Sequence, residues 1–316
     1  MEGNLPTSSE LESLIERMRN EGYTHQDLVK LMFGIIERFC QQFPERQGPG
    51  RPATYPMSTI LKLDMLMHLT GKRGETEILR EAQRHYQAYF EKLPGQSRLW
   101  HRIHELVGRI EAFRCTLRHQ LGVQLEELRI LDTFPIPVAT GTSRKGKGNG
   151  FDLADAGRCA SKKLKYWGFK VGMLITDSGI PDIYDLFPAR PHDSQLIDDL
   201  LGDAYDLMAF ADKGFIASFK QEQLAELQNV ILITYRKNNQ HQQNTPLELW
   251  ALHEYRQLIE TVFSQLNGHL HIENPGAKTD SGLVKRLVGI VTAYTLGIFI
   301  NFLLGRPLLA IKELFA

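Results

Sequence analysis

The sequence predicts an α/β chain: an all-helical N-terminal stretch, then a mixed sheet in which three antiparallel strands precede parallel strands with helices. Three observations predict it. From residue 8 to about 128 the apolar residues recur at helical spacing. After 128 they gather into short runs rich in branched and aromatic residues, bounded by turn residues. From Asp193 onward, helical and strand-like segments alternate.

The elements follow in order. Ser8-Ser9 with Glu12 has the pattern of a capping box opening a helix with Leu11, Leu14, Ile15 and Met18 on its apolar side. Helices near 25–43, 57–70, 75–90 and 97–120 follow on the same periodicity. Gln47–Pro56, rich in Gly and Pro, reads as a connector and hinge. Phe90–His104 reads as helix, Pro-Gly turn and a new helix capped by Ser97. A helix-turn-helix whose second helix carries Arg98, Arg102 and Arg109 fits this pattern, and so does plain bundle packing.

Strands are expected at 129–138, 166–176 and 180–189, the last two joined by the turn Asp177-Ser178-Gly179. Asp193 is expected to cap a helix over 194–204. A strand (207–215), a helix (217–227), a strand (230–237) and a helix (247–266) complete the order β-β-β-α-β-α-β-α. The domains are therefore placed at 1–125 and 126–316. Leu287–Gly305 holds 19 residues without a formal charge, close to the length of a membrane span. Thr292, Thr295, Asn301 and three glycines dilute it, so it reads as a buried or oligomer-facing helix and no membrane partner is expected.

The chain has 316 residues, 37 Lys plus Arg, 37 Asp plus Glu, and 42% hydrophobic positions, which excludes intrinsic disorder. Three widely spaced cysteines without a CxxC suggest neither a disulfide framework nor a zinc cluster, and an acidic N-terminus without an apolar run reads as no secretion signal, so a reducing, cytoplasmic location is expected. The zero net charge hides opposing parts. Residues 51–118 hold 12 basic and 7 acidic side chains, and residues 144–170 hold 8 basic against 2 acidic. The first 50 residues, with 5 basic and 8 acidic, and the segment 171–212 are acidic. Such alternation suits a protein that holds phosphates and also binds cations.

Two carboxylates stand in apolar surroundings. Asp132 lies in Ile-Leu-Asp-Thr-Phe, and Asp212 ends Ala-Phe-Ala-Asp. Each alone reads rather as a strand-end aspartate capping a turn. In a sheet of three antiparallel strands and a crossover, however, the fourth strand commonly lies beside the first. That would place the two carboxylates side by side, where like charges call for a divalent cation between them. Glu260 lies at the margin of a helix face defined by Leu258, Ile259, Val262 and Phe263, with Arg256 one turn earlier to orient it or reach a phosphate. Hard oxygen ligands with open positions suit Mg²⁺ or Mn²⁺.

Together, Leu-Asp132-Thr-Phe-Pro-Ile-Pro-Val, Phe-Ala-Asp212-Lys-Gly-Phe and Arg256-Gln-Leu-Ile-Glu260-Thr-Val-Phe resemble the catalytic core of bacterial insertion-sequence transposases of the DDE type, over about 125–305. Residues 50–120 are similar, less specifically, to the helical DNA-binding region of such proteins. The resemblance implies an RNase H-like fold. It also implies catalysis by Asp132, Asp212 and Glu260 holding two divalent metal ions, with terminal inverted repeats and target DNA as partners and a homodimer as the active complex. His253 and Asn267 stand where one branch of the family has tyrosine and lysine, which points to a neighbouring branch.

Arg256, Lys213, Arg144, Lys145, Lys147, Lys162, Lys163, Lys165, Arg98 and Arg102 are the candidate phosphate-binding residues. Gly141–Gly148 nearly spells a Walker A loop but lacks the hydroxyl residue after Lys147, so a basic loop lying on DNA is expected instead. His269 and His271 read as cap or surface residues, and Trp167 and Phe169 as core or, alternatively, as platforms for an unpaired base. A nuclease that cuts without joining, a non-catalytic DNA-binding protein and a membrane protein are the competing classes.

Overall fold

The computed structural model describes residues 8–45, 53–140, 150–159, 162–236 and 243–314. Its contacts divide the chain into two compact units, one comprising Met1–Leu117, Gly268–His271 and Lys285–Ala316, the other Arg118–Asn267 and Ile272–Val284. The apolar C-terminal helix, expected with the sheet, therefore belongs from Lys285 onward to the helical unit, and the division falls at Leu117 rather than 125.

In the helical stretch, α1 (Ser8–Glu21), α2 (His25–Gln42) and α3 (Met57–Leu69) lie close to the expected spans. A capping box opens α2: Thr24 Oγ1 accepts from the Asp27 amide at 3.2 Å, and Asp27 accepts from the Thr24 amide at 2.9 Å. The expected 75–90 helix is regular only as α4 (Glu75–Glu81); it widens to one π turn over Ala82–Tyr86 and tightens over Gln87–Tyr89. The expected 97–120 helix is two, α5 (Gln96–Glu105) and α6 (Val107–Gln120), broken at the buried Leu106 before Gly108. Gly95, not Ser97, occupies the N-cap of α5.

The last helix, α10 (Asp280–Leu303), has the length and hydropathy of a membrane span, and 94% of its most apolar window is buried. Two of its polar side chains donate at short range, Thr295 to the Val291 carbonyl and Asn301 to that of Leu308. Near its start Lys285 and Arg286 are buried together with Glu75, each donating to one Glu75 oxygen at 2.9 Å. Burial pushes the Glu75 carboxyl up, but Arg286 and Lys285 outweigh it and hold it below the usual range.

In the second unit the described residues form one six-stranded sheet: β1 (Leu128–Thr140), β2 (Asp155–Cys159), β3 (Leu164–Thr176), β4 (Pro181–Pro188), β5 (Leu207–Ala211) and β6 (Val230–Thr234). β1 pairs antiparallel with β3, which pairs antiparallel with β4 and, nearer its start, with β2. On its other side β1 pairs parallel with β5, and β5 parallel with β6. The expected three antiparallel strands followed by parallel ones are all present. β2 had no sequence signal, because Asp-Ala-Gly-Arg-Cys lacks an apolar alternation; the free edge of β3 recruits it.

Helices cover both faces of the sheet. α7 (Ile197–Leu201) and α8 (Ser218–Gln228) contribute Ile197, Leu200, Leu201 and Leu224 to a core with Leu131, Leu174, Ala209 and Leu232. Gly172 makes room there, since a Cβ would lie 2.6 Å from Leu200. α9 (Pro246–Gly268) packs Ala251 and Leu252 with Phe210, Met208, Ile233 and Tyr255. The strand expected to run to 215 stops at Ala211, because Asp212 instead caps a 3-10 turn over Lys213–Phe215. The helix expected over 194–204 shortens to α7. His192, not Asp193, caps the preceding 3-10 turn, its ring nitrogen accepting from the Ser194 amide.

Candidate active site

Parallel pairing brings Leu131 of β1 opposite Ala211 of β5, the last pair of that ladder. Asp132 and Asp212 each follow by one residue, so the topology delivers both carboxylates to the same edge of the sheet. Each is held in the same way: one carboxylate oxygen accepts the amide of the following residue, Thr133 or Lys213, at 2.7 Å.

α9 supplies the third carboxylate. Ile259 and Val262 are buried, Phe263 packs on Phe134 at 4.6 Å between ring centroids, and Tyr255 packs on Phe210 at 4.8 Å. These contacts fix the rotation of the helix over β1 and β5. They leave Arg256 and Glu260 on its solvent-facing margin, with the guanidinium 48% and the carboxylate 58% exposed. Arg256 Nε donates to Glu260 at 3.0 Å, and another of its nitrogens lies 3.8 Å from Asp212. A single guanidinium thus stands between two carboxylates. An open cleft of about 270 Å³ is lined by Asp132, Asp212, Arg256, Tyr235, Tyr255 and apolar residues of β1, β5 and α9.

The electrostatics mark Asp132. Burial pushes its carboxyl up to about 7, the negative charges of Asp212 and Asp193 add to this, and the Thr133 amide and Arg256 act against it. A carboxylate with so high a proton affinity lacks a full positive counter-charge. As placed, no three His, Cys, Asp or Glu side chains among the described residues are arranged to hold a metal ion. Glu260 is engaged by Arg256. The donor chemistry nonetheless fits a hard divalent cation: all three groups are carboxylates, and the two at adjacent strands line a cleft open to solvent.

The remaining candidates divide. Lys213 is exposed beside Asp212, and Lys163 and Lys165 are exposed near the start of β3. Lys162 pairs with Glu273. Arg98 is exposed on α5, but Arg102 is 12% exposed and bound to Glu45 at 2.9 Å and Glu105 at 2.6 Å, which leaves it little reach for a phosphate. Arg144, Lys145 and Lys147, with the loop resembling a Walker A motif, lie outside the described residues. Phe169 is core and Trp167 half-buried. His269 contacts the Leu69 carbonyl and His271 lies near Arg73, as structural residues do. Sequence reasoning passed over Tyr235 and Thr133, read Asp193 only as a helix cap and counted Lys170 only within the basic 144–170 stretch. Lys170 carried a signal, since an ammonium inside an apolar strand needs a buried partner.

Comparison with known proteins completes the picture. Comparison with curated proteins gives no match. Among solved structures, the chain is matched at 12% identity to the Mos1 transposase paired-end complex with left transposon end, over 85% of this chain and 98% of that one, with a TM-score of 0.20. A pre-cleavage Mos1 transpososome matches at 12% identity over 95% and 98%, with a TM-score of 0.21. Superpositions at these scores do not establish a shared fold. The family comparison does bear on the site: residues 124–278 match the family described as Transposase DDE domain. That span contains Asp132, Asp212, Arg256 and Glu260, and over it the chain carries a DDE-type transposase domain.

Proposed function

We propose that the chain is an insertion-sequence DNA transposase that binds the terminal inverted repeats of its element and carries out strand cleavage and strand transfer at one site. The observation that carries this reading is the placement of Asp132 and Asp212 just beyond the last pair of the parallel β1–β5 ladder, with Glu260 one helical turn from Arg256 above them, inside the matched domain. The strand order β4-β3-β1-β5-β6, antiparallel then parallel, supports an RNase H-like core.

Asp132, Asp212 and Glu260 would hold two Mg²⁺ or Mn²⁺ ions, whose chemistry there is to activate a nucleophile and to stabilise the leaving oxygen. The rest falls to the chain's own residues. Burial pushes the Asp132 carboxyl up to about 7, and positive charge beside it would favour its ionised form. Arg256, released from Glu260, is placed to take a phosphate oxygen at the same cleft. Lys213 extends the positive rim next to Asp212, and Lys163 and Lys165 supply backbone contacts farther along the sheet. The helical N-terminal region, with Arg98 exposed on α5, would bind the element ends, and two copies would act together because two ends are joined.

The test is a strand-transfer assay with pre-cut element ends and plasmid target. Joined product that disappears in Asp132→Asn, with DNA binding retained, supports the reading. Cleavage without joining makes the chain a nuclease of the same core, and activity unaffected by Asp132→Asn overturns a catalytic role.

A further inference from the structure

Asp193 lies outside the three carboxylates named above, and its own turn does not use it, because His192 caps that turn. Its side chain, 30% exposed, reaches toward the site. Oδ1 accepts from Lys170 Nζ at 2.7 Å and from Thr133 Oγ1 at 3.2 Å. Oδ2 faces the turn after β5, where a Cβ on Gly214 would lie 2.9 Å from it. Thr133 directly follows Asp132, and Gly214 stands two residues beyond Asp212. Asp193 therefore bonds to the residue after Asp132 and lies close beside the turn after Asp212.

The ladder between β1 and β5 ends at Leu131–Ala211, so both aspartates lie beyond its last pair. β3 still holds Asp132, opposite Met173, but no strand pairing holds Asp212, so its distance from Asp132 depends on contacts beyond that ladder. A carboxylate is a costly choice for this, since its charge repels Asp132. Lys170 offsets the cost: it is buried on β3, donates also to the Pro191 carbonyl, and fixes the Asp193 side chain in place.

We propose that Asp193 is a positioning residue of this site: pinned by Lys170, its carboxylate joins the chain after Asp132 to the turn after Asp212 and sets the spacing of the two aspartates for a divalent cation. The inference rests on the metal-dependent reading above. It differs from simple neutralisation of Lys170, which would need the charge of Asp193 but not its contact with Gly214.

The experiment is Mn²⁺ binding to the full chain, read by electron paramagnetic resonance, beside thermal unfolding and metal-free DNA binding. Wild type is expected to bind Mn²⁺ and Asp132→Asn to lose it; a wild type that binds none overturns the metal-dependent reading and this inference with it. Asp193→Asn combined with Lys170→Met removes both charges together, and is expected to fold, bind DNA as wild type and bind Mn²⁺ at least tenfold more weakly. Wild-type affinity in that variant overturns the inference while leaving the reading intact. Gly214→Ala keeps every charge and presses a methyl group against Asp193. It too is expected to weaken Mn²⁺ binding, and wild-type affinity there also overturns the inference, whether or not the double variant folds.

Discussion

Asp132, still within β1, and Asp212, just past the end of β5, stand side by side, each one residue beyond the paired Leu131 and Ala211, and each accepts the amide of its next neighbour at 2.7 Å. Two carboxylates so placed repel each other, and the burden shows at Asp132, whose carboxyl is pushed up to about 7 by burial first and by its acidic neighbours second. Asp132→Asn and Asp212→Asn should each abolish strand cleavage while leaving binding to element ends unchanged in a gel-shift assay. Removing the buried charge should also raise metal-free stability, by about 1 kcal/mol for Asp132→Asn, the usual trade of stability against function at such sites. Urea unfolding in the presence of a chelator measures it.

Arg256 pairs with Glu260 and Asp212 through side chains that are largely exposed. Solvent screening makes such pairs worth less than about 1 kcal/mol, so Arg256→Gln should barely move the unfolding midpoint. Its cleavage rate should nonetheless fall by roughly tenfold or more, as expected when a donor aimed at a reacting phosphate is lost. Parallel melting and single-turnover kinetics separate the two effects.

The buried trio of Glu75, Lys285 and Arg286 belongs to folding rather than chemistry. Glu75→Gln leaves two cations without their anion inside the helical unit. It should cost about 3–5 kcal/mol, whereas an exposed change such as Glu91→Gln should cost almost nothing. Chemical denaturation gives the comparison directly.

Glu126 sits against Asp177, and burial first and that neighbour second raise its carboxyl from 4.5 to about 7. The folded state then binds a proton that the unfolded state has already released, so stability from this group is greatest below pH 4.5 and falls as pH rises toward 7. Glu126→Gln should therefore exceed wild type in stability above pH 7, with the advantage shrinking toward pH 4.5. A pH series of unfolding midpoints for the two proteins checks the sign.

Salt dependence separates the basic residues that face solvent from those already spent. Lys163→Ala and Lys165→Ala should each reduce the slope of log affinity for DNA against log salt by about 1. Arg102→Ala should leave the slope unchanged, because Glu45 and Glu105 already hold that guanidinium. It should instead cost stability, by about 1 kcal/mol.

Much of this was legible in the residues. The change from helical to strand periodicity near 128 marked where the sheet begins, and the order of strands and helices placed β5 beside β1 and hence Asp132 beside Asp212. The i, i+4 spacing of Arg256 and Glu260 predicted their contact, since a helix turn brings such positions together whatever surrounds it. These are local or topological properties, and periodicity expresses them directly.

Tertiary structure alone decided the rest. Whether an arginine is available or spent depends on carboxylates far away in sequence, as Glu45 is from Arg102. β2 exists because β3 offers it an edge, and no pattern in its own five residues announces it. The apolar helix near the C-terminus was recognised as buried from its composition, but the helical unit that buries it could be found only from packing. Asp193 looked like a helix cap because its neighbours in sequence suited one. Folding instead gave that place to His192 and set the Asp193 carboxylate against Lys170, Thr133 and Gly214, contacts made across the sheet that sequence spacing does not encode.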